Sequence, residues 1–124
     1  MRHGNNVKDR LSPRYLINRS AELLDMNNLA SKLSYHVCML VDISSGGAKI
    51  RSCREYTPGQ MLTVRAGLYD GHKHIQLRGR IVRVDGLPSG WREYGVRFEG
   101  LSDSHKEALE QGLACVVRCR EAFA

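Results

Sequence analysis

The stretch "MLTVRAGLYDGHKHIQLRGRIVRV", residues 61–84, decides the fold. "MLTVRAGL" and "HIQLRGRIVRV" read as two strands, and Asp70-Gly71 within "YDGHK" marks the hairpin that joins them. Upstream, "TPGQ" (57–60) is a strong turn signal, because proline fixes φ and glycine tolerates positive φ. Before it, "AKIRS" (48–52) alternates with Ala48, Ile50 and Ser52 on one face. "SYHVCMLVDI" (34–43) is rich in β-branched and aromatic residues, and "YLINRSAELL" (15–24) alternates in part. Between them, "DMNNLASKL" reads as a loop or short irregular excursion. Downstream, "DGLPSG" breaks the chain and "WREYGVRF" (91–98) is a last strand. Six short strands separated by turns give a mainly β domain, a small antiparallel barrel or sandwich.

The period then changes. Leu109, Leu113 and Val116 recur at helical spacing, and "SHKE" (104–107) has the form of a capping box. Arg118 and Arg120 suit the negative end of a helix dipole, while Gly112 costs about 1 kcal/mol relative to alanine. The spacing predicts a C-terminal α-helix over about 102–120, with its apolar stripe on the barrel or on a partner.

With 124 residues, 42% of them hydrophobic, the chain has the size and composition of one globular domain. It lacks an apolar run long enough to span a membrane, and "MRHGNNVKDR" has no apolar signal core, so a cytoplasmic location is expected. Cys38, Cys53, Cys115 and Cys119 form no CxxC pair; Cys115 and Cys119 share a helical face but lack further ligands, so reduced thiols are expected rather than a metal site. His72 and His74 flank Lys73 in a loop and are expected to be solvated. The net charge of +6 favours an anionic partner. Arg2, Lys8, Arg10, Arg14 and Arg19 face only Asp9 near the start, so residues 1–9 read as a flexible basic arm before a domain over 10–120.

Two short motifs carry chemistry. "VDISSGGAKI" (41–50) places Asp42, Ser44 and Gly47 in a D-x-S-x-x-G spacing at a strand end. An ionised carboxylate offers paired acceptors that match the N1–H and N2–H donors of guanine, and a serine hydroxyl can donate or accept. Gly46 and Gly47 permit positive φ and a close backbone approach to a flat ligand. Upstream, Arg10 and Arg14 stand in an R-x-x-x-R spacing, with Pro13 blocking a regular helix. Each guanidinium is a planar fork for phosphate oxygens or for guanine O6 and N7. Together they describe a site for a guanine nucleotide with phosphates.

Arg10-x-x-x-Arg14 followed by Asp42-x-Ser44-x-x-Gly47 resembles the PilZ domain, the bacterial receptor module for cyclic di-GMP. "RLSPRYLINRSAELL", "LVDISSGGAKI", "PGQMLTVRAGL", "LRGRIVRVDG" and "YGVRFEGLSD" resemble successive family segments over roughly residues 8–110. The resemblance implies a stand-alone PilZ-like domain: a six-stranded antiparallel β-barrel with a C-terminal helix. It implies cyclic di-GMP as ligand, with no cofactor and no metal. Arg10 and Arg14 would grip phosphates and guanine, Asp42, Ser44 and Gly47 would hold the base edge, and Arg83 would lie against a guanine face. Asp9 departs from the basic residue frequent beside the first motif arginine, which leaves open one ligand or a stacked, self-paired dimer.

The function this implies is a receptor or adaptor whose arginine arm orders on ligand and signals to a protein partner. The arm is expected to be mobile when empty, because its arginines repel one another and bury nothing. A basic barrel binding nucleic acid is the alternative, made less favourable by few aromatic residues and no RNP-like strand. A PilZ-like adaptor without ligand is another. An enzyme is not expected, since Ser44 sits in no G-x-S-x-G elbow and there is no P-loop. Arg51, Arg54, Arg65, Arg78 and Arg80 read as a solvated barrel face, and Trp91 and Phe98 as core or rim.

Overall fold

The computed structural model describes residues 13–25 and 35–122, with the side chains of 121 and 122 left aside. Six strands appear in chain order: β1 (Tyr15–Asp25), β2 (Tyr35–Ile43), β3 (Gly47–Ser52), β4 (Met61–Ala66), β5 (Ile75–Gly86) and β6 (Arg92–Phe98). One helix, α1 (Asp103–Ala122), follows. The strands close into an antiparallel barrel in the order β1-β2-β3-β6-β5-β4. Closure removes the unpaired edges that an open sheet of this size would present.

Alternation along the strands fills the barrel. Leu23, Leu40, Ile43, Ile50, Leu62, Leu77, Ile81 and Tyr94 point inward and are almost fully buried. Ala48, Ile50 and Ser52 of β3 share the buried face, as their spacing predicts. The Tyr94 hydroxyl donates to the Arg54 carbonyl at 2.7 Å and accepts the Tyr56 amide at 3.0 Å, satisfying two backbone groups of the β3–β4 connection. Cys38 is buried, and desolvation pushes its thiol up to about 12, so it behaves as a small apolar residue.

Three irregularities shape the outer surface. The β1–β2 register shifts between Leu16 and Arg19, where Asn18 adopts φ 51°. The β2–β3 register shifts between Leu40 and Asp42, and the β5–β6 register between Ile81 and Arg83. Each bulge adds one residue to a strand and re-aims the next side chain.

Leu109, Leu113 and Val116 of α1 are buried, so the apolar stripe packs on the barrel. The helix starts where expected, but its cap lies two residues before the expected capping box. Ser102 Oγ accepts the His105 amide at 3.2 Å and the Ser102 carbonyl accepts the Lys106 amide, which makes Ser102 the N-cap and leaves Ser104 inside the first turn. At the far end, Arg120 donates to the Leu16 carbonyl beside the β1 bulge. Gly112 has a packing reason: a Cβ there would lie 3.0 Å from His72 Cε1 and 3.1 Å from Leu68 Cδ1. The histidine is thus wedged under the helix rather than solvated, half-buried, with its Nδ1 accepting the Leu68 amide at 2.8 Å. Trp91 is 42% exposed at the β5–β6 turn, on the surface rather than in the core.

Candidate functional site

The β2–β3 turn is closed by its own groups. Ser44 N donates to the Gly47 carbonyl at 2.8 Å, and the buried Ser44 Oγ accepts the Gly46 amide at 3.2 Å. The same hydroxyl donates to the Gly47 carbonyl at 3.4 Å. Ser44 therefore holds the shape of the turn. Neither Gly46 nor Gly47 takes a positive φ, contrary to the sequence expectation. Gly47 is required for a different reason: a Cβ would stand 2.3 Å from the Val96 carbonyl oxygen, because β3 and β6 approach too closely there for a side chain.

Strand register builds a row across the outer face. Leu16 pairs with Asp42, Asp42 with Lys49, Lys49 with Gly95, and Gly95 with Arg83. The bulges after Leu40 and Ile81 set this row, and the second brings both Val82 and Arg83 opposite the bare Gly95. A cavity of about 410 Å³ opens along it. Arg14, Lys49, Arg83 and Arg97 supply positive charge to its lining, while Val82, Val96, Ala48 and Phe98 supply apolar surface. Ser44, Gly46 and Gly47 form one rim.

Asp42 stands at the edge of the cavity, with its side chain only 14% exposed. Its Oδ1 accepts Arg14 Nη1 at 3.0 Å and its Oδ2 lies 3.7 Å from Lys49 Nζ. Lys49 also lies 3.8 Å from Glu93 Oε1, and Glu93 accepts Arg51 Nε at 2.9 Å. Charges therefore alternate from the leader of β1 across β2, β3 and β6. Arg14 was expected to lack a counter-charge; Asp42 provides one.

Of the residues expected at the site, Arg14, Ser44, Gly47 and Arg83 line the cavity and Asp42 adjoins it through Arg14. Arg10, like the 1–9 arm, lies outside the described residues. Lys49, Gly95 and Arg97 were missed. Alternation alone put Lys49 on the outer face, but only the register brings it beside Asp42. The surface arginines Arg51, Arg65 and Arg80 are individually paired, with Glu93, Glu22 and Glu99. Among the described residues no group of three or more His, Cys, Asp or Glu side chains is placed to hold a metal ion. No described helix is long and apolar enough to cross a membrane.

The PilZ domain model matches residues 8–115 of the sequence. The chain belongs to the PilZ domain family. Its barrel resembles the K. pneumonia MrkH–c-di-GMP complex with a TM-score of 0.73 at 11% identity, covering 93% of this chain and 55% of that one. The PilZ domain of Escherichia coli YcgR with c-di-GMP matches with a TM-score of 0.68 at 12% identity, covering 92% and 96%. Bacillus subtilis MotI/DgrA, an inhibitor of motility, matches with a TM-score of 0.66 at 15% identity, covering 90% and 52%. The chain thus spans about half the length of MotI and MrkH and nearly all of the isolated YcgR PilZ domain. No curated protein matches it in sequence. At these identities the structural likeness establishes the PilZ fold, and the site must be argued from this chain's own residues.

Proposed function

We propose that the protein is a cyclic di-GMP receptor that binds the dinucleotide in the cation-lined cavity beside Asp42 and signals to a protein partner. The observation that carries this reading is the Arg14–Asp42 ion pair at the mouth of that cavity. It joins the two halves of the PilZ motif, 28 residues apart, at one point on the barrel.

Binding is an exchange of partners. The Arg14 side chain is 59% exposed, and ion pairs of that kind contribute about 0–1 kcal/mol, so the pair opens easily. Ligand phosphate offers the Arg14 fork a bidentate anion, and Asp42 is freed to accept the N1–H and N2–H edge of guanine. Arg10 joins Arg14 on phosphate and guanine, and Arg83 covers a base face against Val82 and Val96. Ser44 and Gly47 act by shaping the rim on which the base edge rests. Family membership supports the reading, as does the occurrence of c-di-GMP in the MrkH and YcgR complexes.

The signal follows from the same exchange. With Arg10 and Arg14 on phosphate, residues 1–14 order across the barrel mouth and present a new surface to the partner. Backbone NMR should then show residues 1–12 gaining order on addition of cyclic di-GMP; unchanged relaxation there with ligand bound would remove this switch.

Calorimetric titration tests the reading. Wild type should bind cyclic di-GMP with roughly micromolar or better affinity, near −8 kcal/mol. Arg14→Ala should lose nearly all of it. The stoichiometry distinguishes one ligand from a stacked pair.

A further inference from the structure

Four cations line the cavity, and three are committed to carboxylates. Arg14 holds Asp42 at 3.0 Å, Lys49 is shared between Asp42 and Glu93, and Arg83 Nε lies 3.2 Å from Asp85 Oδ2. Arg97 differs. Among the described residues it has no carboxylate within salt-bridge distance.

Its setting makes that unusual. In the β5–β6 ladder Arg97 stands directly opposite Arg80, and like charges placed so destabilise a sheet. Glu99 feels the charge of Arg97, but its carboxylate is bonded to Arg80. Arg80 Nε donates to both Glu99 oxygens at 3.1 and 3.0 Å, and this bond holds the Glu99 carboxyl below its usual range. Arg80 is anchored further by donating to the Gly59 carbonyl at 2.8 Å. Across β3–β6 the partner of Arg97 is Gly47, which has no side chain to screen it. Among the described residues, the fold thus leaves one guanidinium without a salt-bridged carboxylate on the wall of a cavity that carries three other cations.

We infer that Arg97 is a ligand-binding residue of this cavity, the fork that takes a phosphodiester oxygen without first surrendering an internal ion pair. The inference rests on the proposed cyclic di-GMP reading and adds a residue outside both PilZ motifs. Because no partner has to be exchanged, Arg97 captures the phosphate first, and Arg14 follows once it leaves Asp42. Arg97 thereby acts on association, whereas Arg14 and Asp42 act on retention.

Stopped-flow and equilibrium binding of cyclic di-GMP to wild type, Arg97→Ala, Arg97→Lys and Arg78→Ala test this. Arg78 is an exposed β5 cation outside the cavity lining, so its loss removes the same charge without the site. Arg97→Ala should weaken affinity at least about tenfold, mostly in the association rate, with an unfolding midpoint no lower than that of wild type, since the like-charge pair with Arg80 is relieved. Arg97→Lys should recover part of it, and Arg78→Ala should bind like wild type. Equal losses in Arg97→Ala and Arg78→Ala, or none in either, would overturn the inference while leaving the receptor reading intact. A second arm is independent of the dinucleotide: pyrophosphate titrated into wild type should shift the Arg97 Nε–Hε NMR resonance ahead of that of Arg78. If cyclic di-GMP fails to bind but that shift occurs, the receptor reading falls and the anion-binding role of Arg97 stands. If the two resonances move alike, the role falls.

Discussion

Arg14 Nη1 lies 3.0 Å from Asp42 Oδ1, so the arginine and the aspartate expected to hold opposite ends of a guanine nucleotide hold each other. The pairing accounts for the position of the last arm residue before β1 and marks the point where a phosphate must intervene. A carboxylate bridged on both oxygens, by Arg14 and by Lys49, is also kept from pairing with other cations of the basic surface.

Removing Arg14 should therefore separate binding from stability. Arg14→Ala should cost at least about thirtyfold in cyclic di-GMP affinity, since it deletes one side of a charge-assisted contact. Its unfolding free energy should change by no more than about 1 kcal/mol, because the pair is solvent-screened. Calorimetry and urea denaturation on the same preparation measure both.

The two turn glycines should respond in opposite ways. Gly47→Ala forces a Cβ to within 2.3 Å of the Val96 carbonyl, whereas a Cβ on Gly46 meets nothing within 4 Å. Gly47→Ala should destabilise by about 2 kcal/mol or more and Gly46→Ala by less than about 0.5 kcal/mol. Equal midpoints in a urea unfolding series would show that β3 and β6 are farther apart than described.

Tyr94→Phe should cost about 2 kcal/mol without touching the cavity. The change strips the Tyr56 amide and the Arg54 carbonyl of their shared partner inside the barrel. Chemical denaturation measures the loss, and cyclic di-GMP affinity should stay within about twofold of wild type.

Legibility from sequence varied with the range of the interactions involved. Strand alternation and the Leu109, Leu113 and Val116 stripe are local, and they placed six strands and the helix within a residue or two. The capping box expected at Ser104 was the local error: the hydroxyl of Ser102, two residues earlier, takes the His105 amide, and only geometry selects it. Arg14, Asp42 and Gly47 were readable from motif spacing, but the reason for Gly47 was not, since it depends on Val96 nearly fifty residues away. Lys49, Gly95 and Arg97 were missed because they come together in the β3–β6 ladder, between strands far apart in sequence, and join Asp42 and Arg83 only through bulges after Leu40 and Ile81. Single inserted residues of that kind leave no mark in an alternation pattern.

Acid should loosen the seat of α1. The His72 imidazole is held below the ordinary histidine value of 6.5, first by burial and then by the fields of His74 and Arg19. Its neighbours are the stacked Tyr69 ring, the helix at Gly112 and the nearby Lys73, His105 and Cys115; Asp70 pairs with Arg19. A depressed folded value means that the unfolded chain binds the proton more readily, so stability is full above about pH 6.5 and declines as pH falls below it. Protonation would also cost the Leu68 amide its Nδ1 acceptor. Thermal midpoints from pH 7.5 to 5.5 should fall in wild type by several degrees more than in His72→Gln.

The most direct measurement is a crystal structure of the protein with cyclic di-GMP. The account predicts ligand in the cavity beside Gly95, Arg14 moved from Asp42 onto a phosphate, and Asp42 accepting the guanine N1–H and N2–H edge. An intact Arg14–Asp42 pair with the dinucleotide bound elsewhere, or no dinucleotide at saturating concentration, would contradict it.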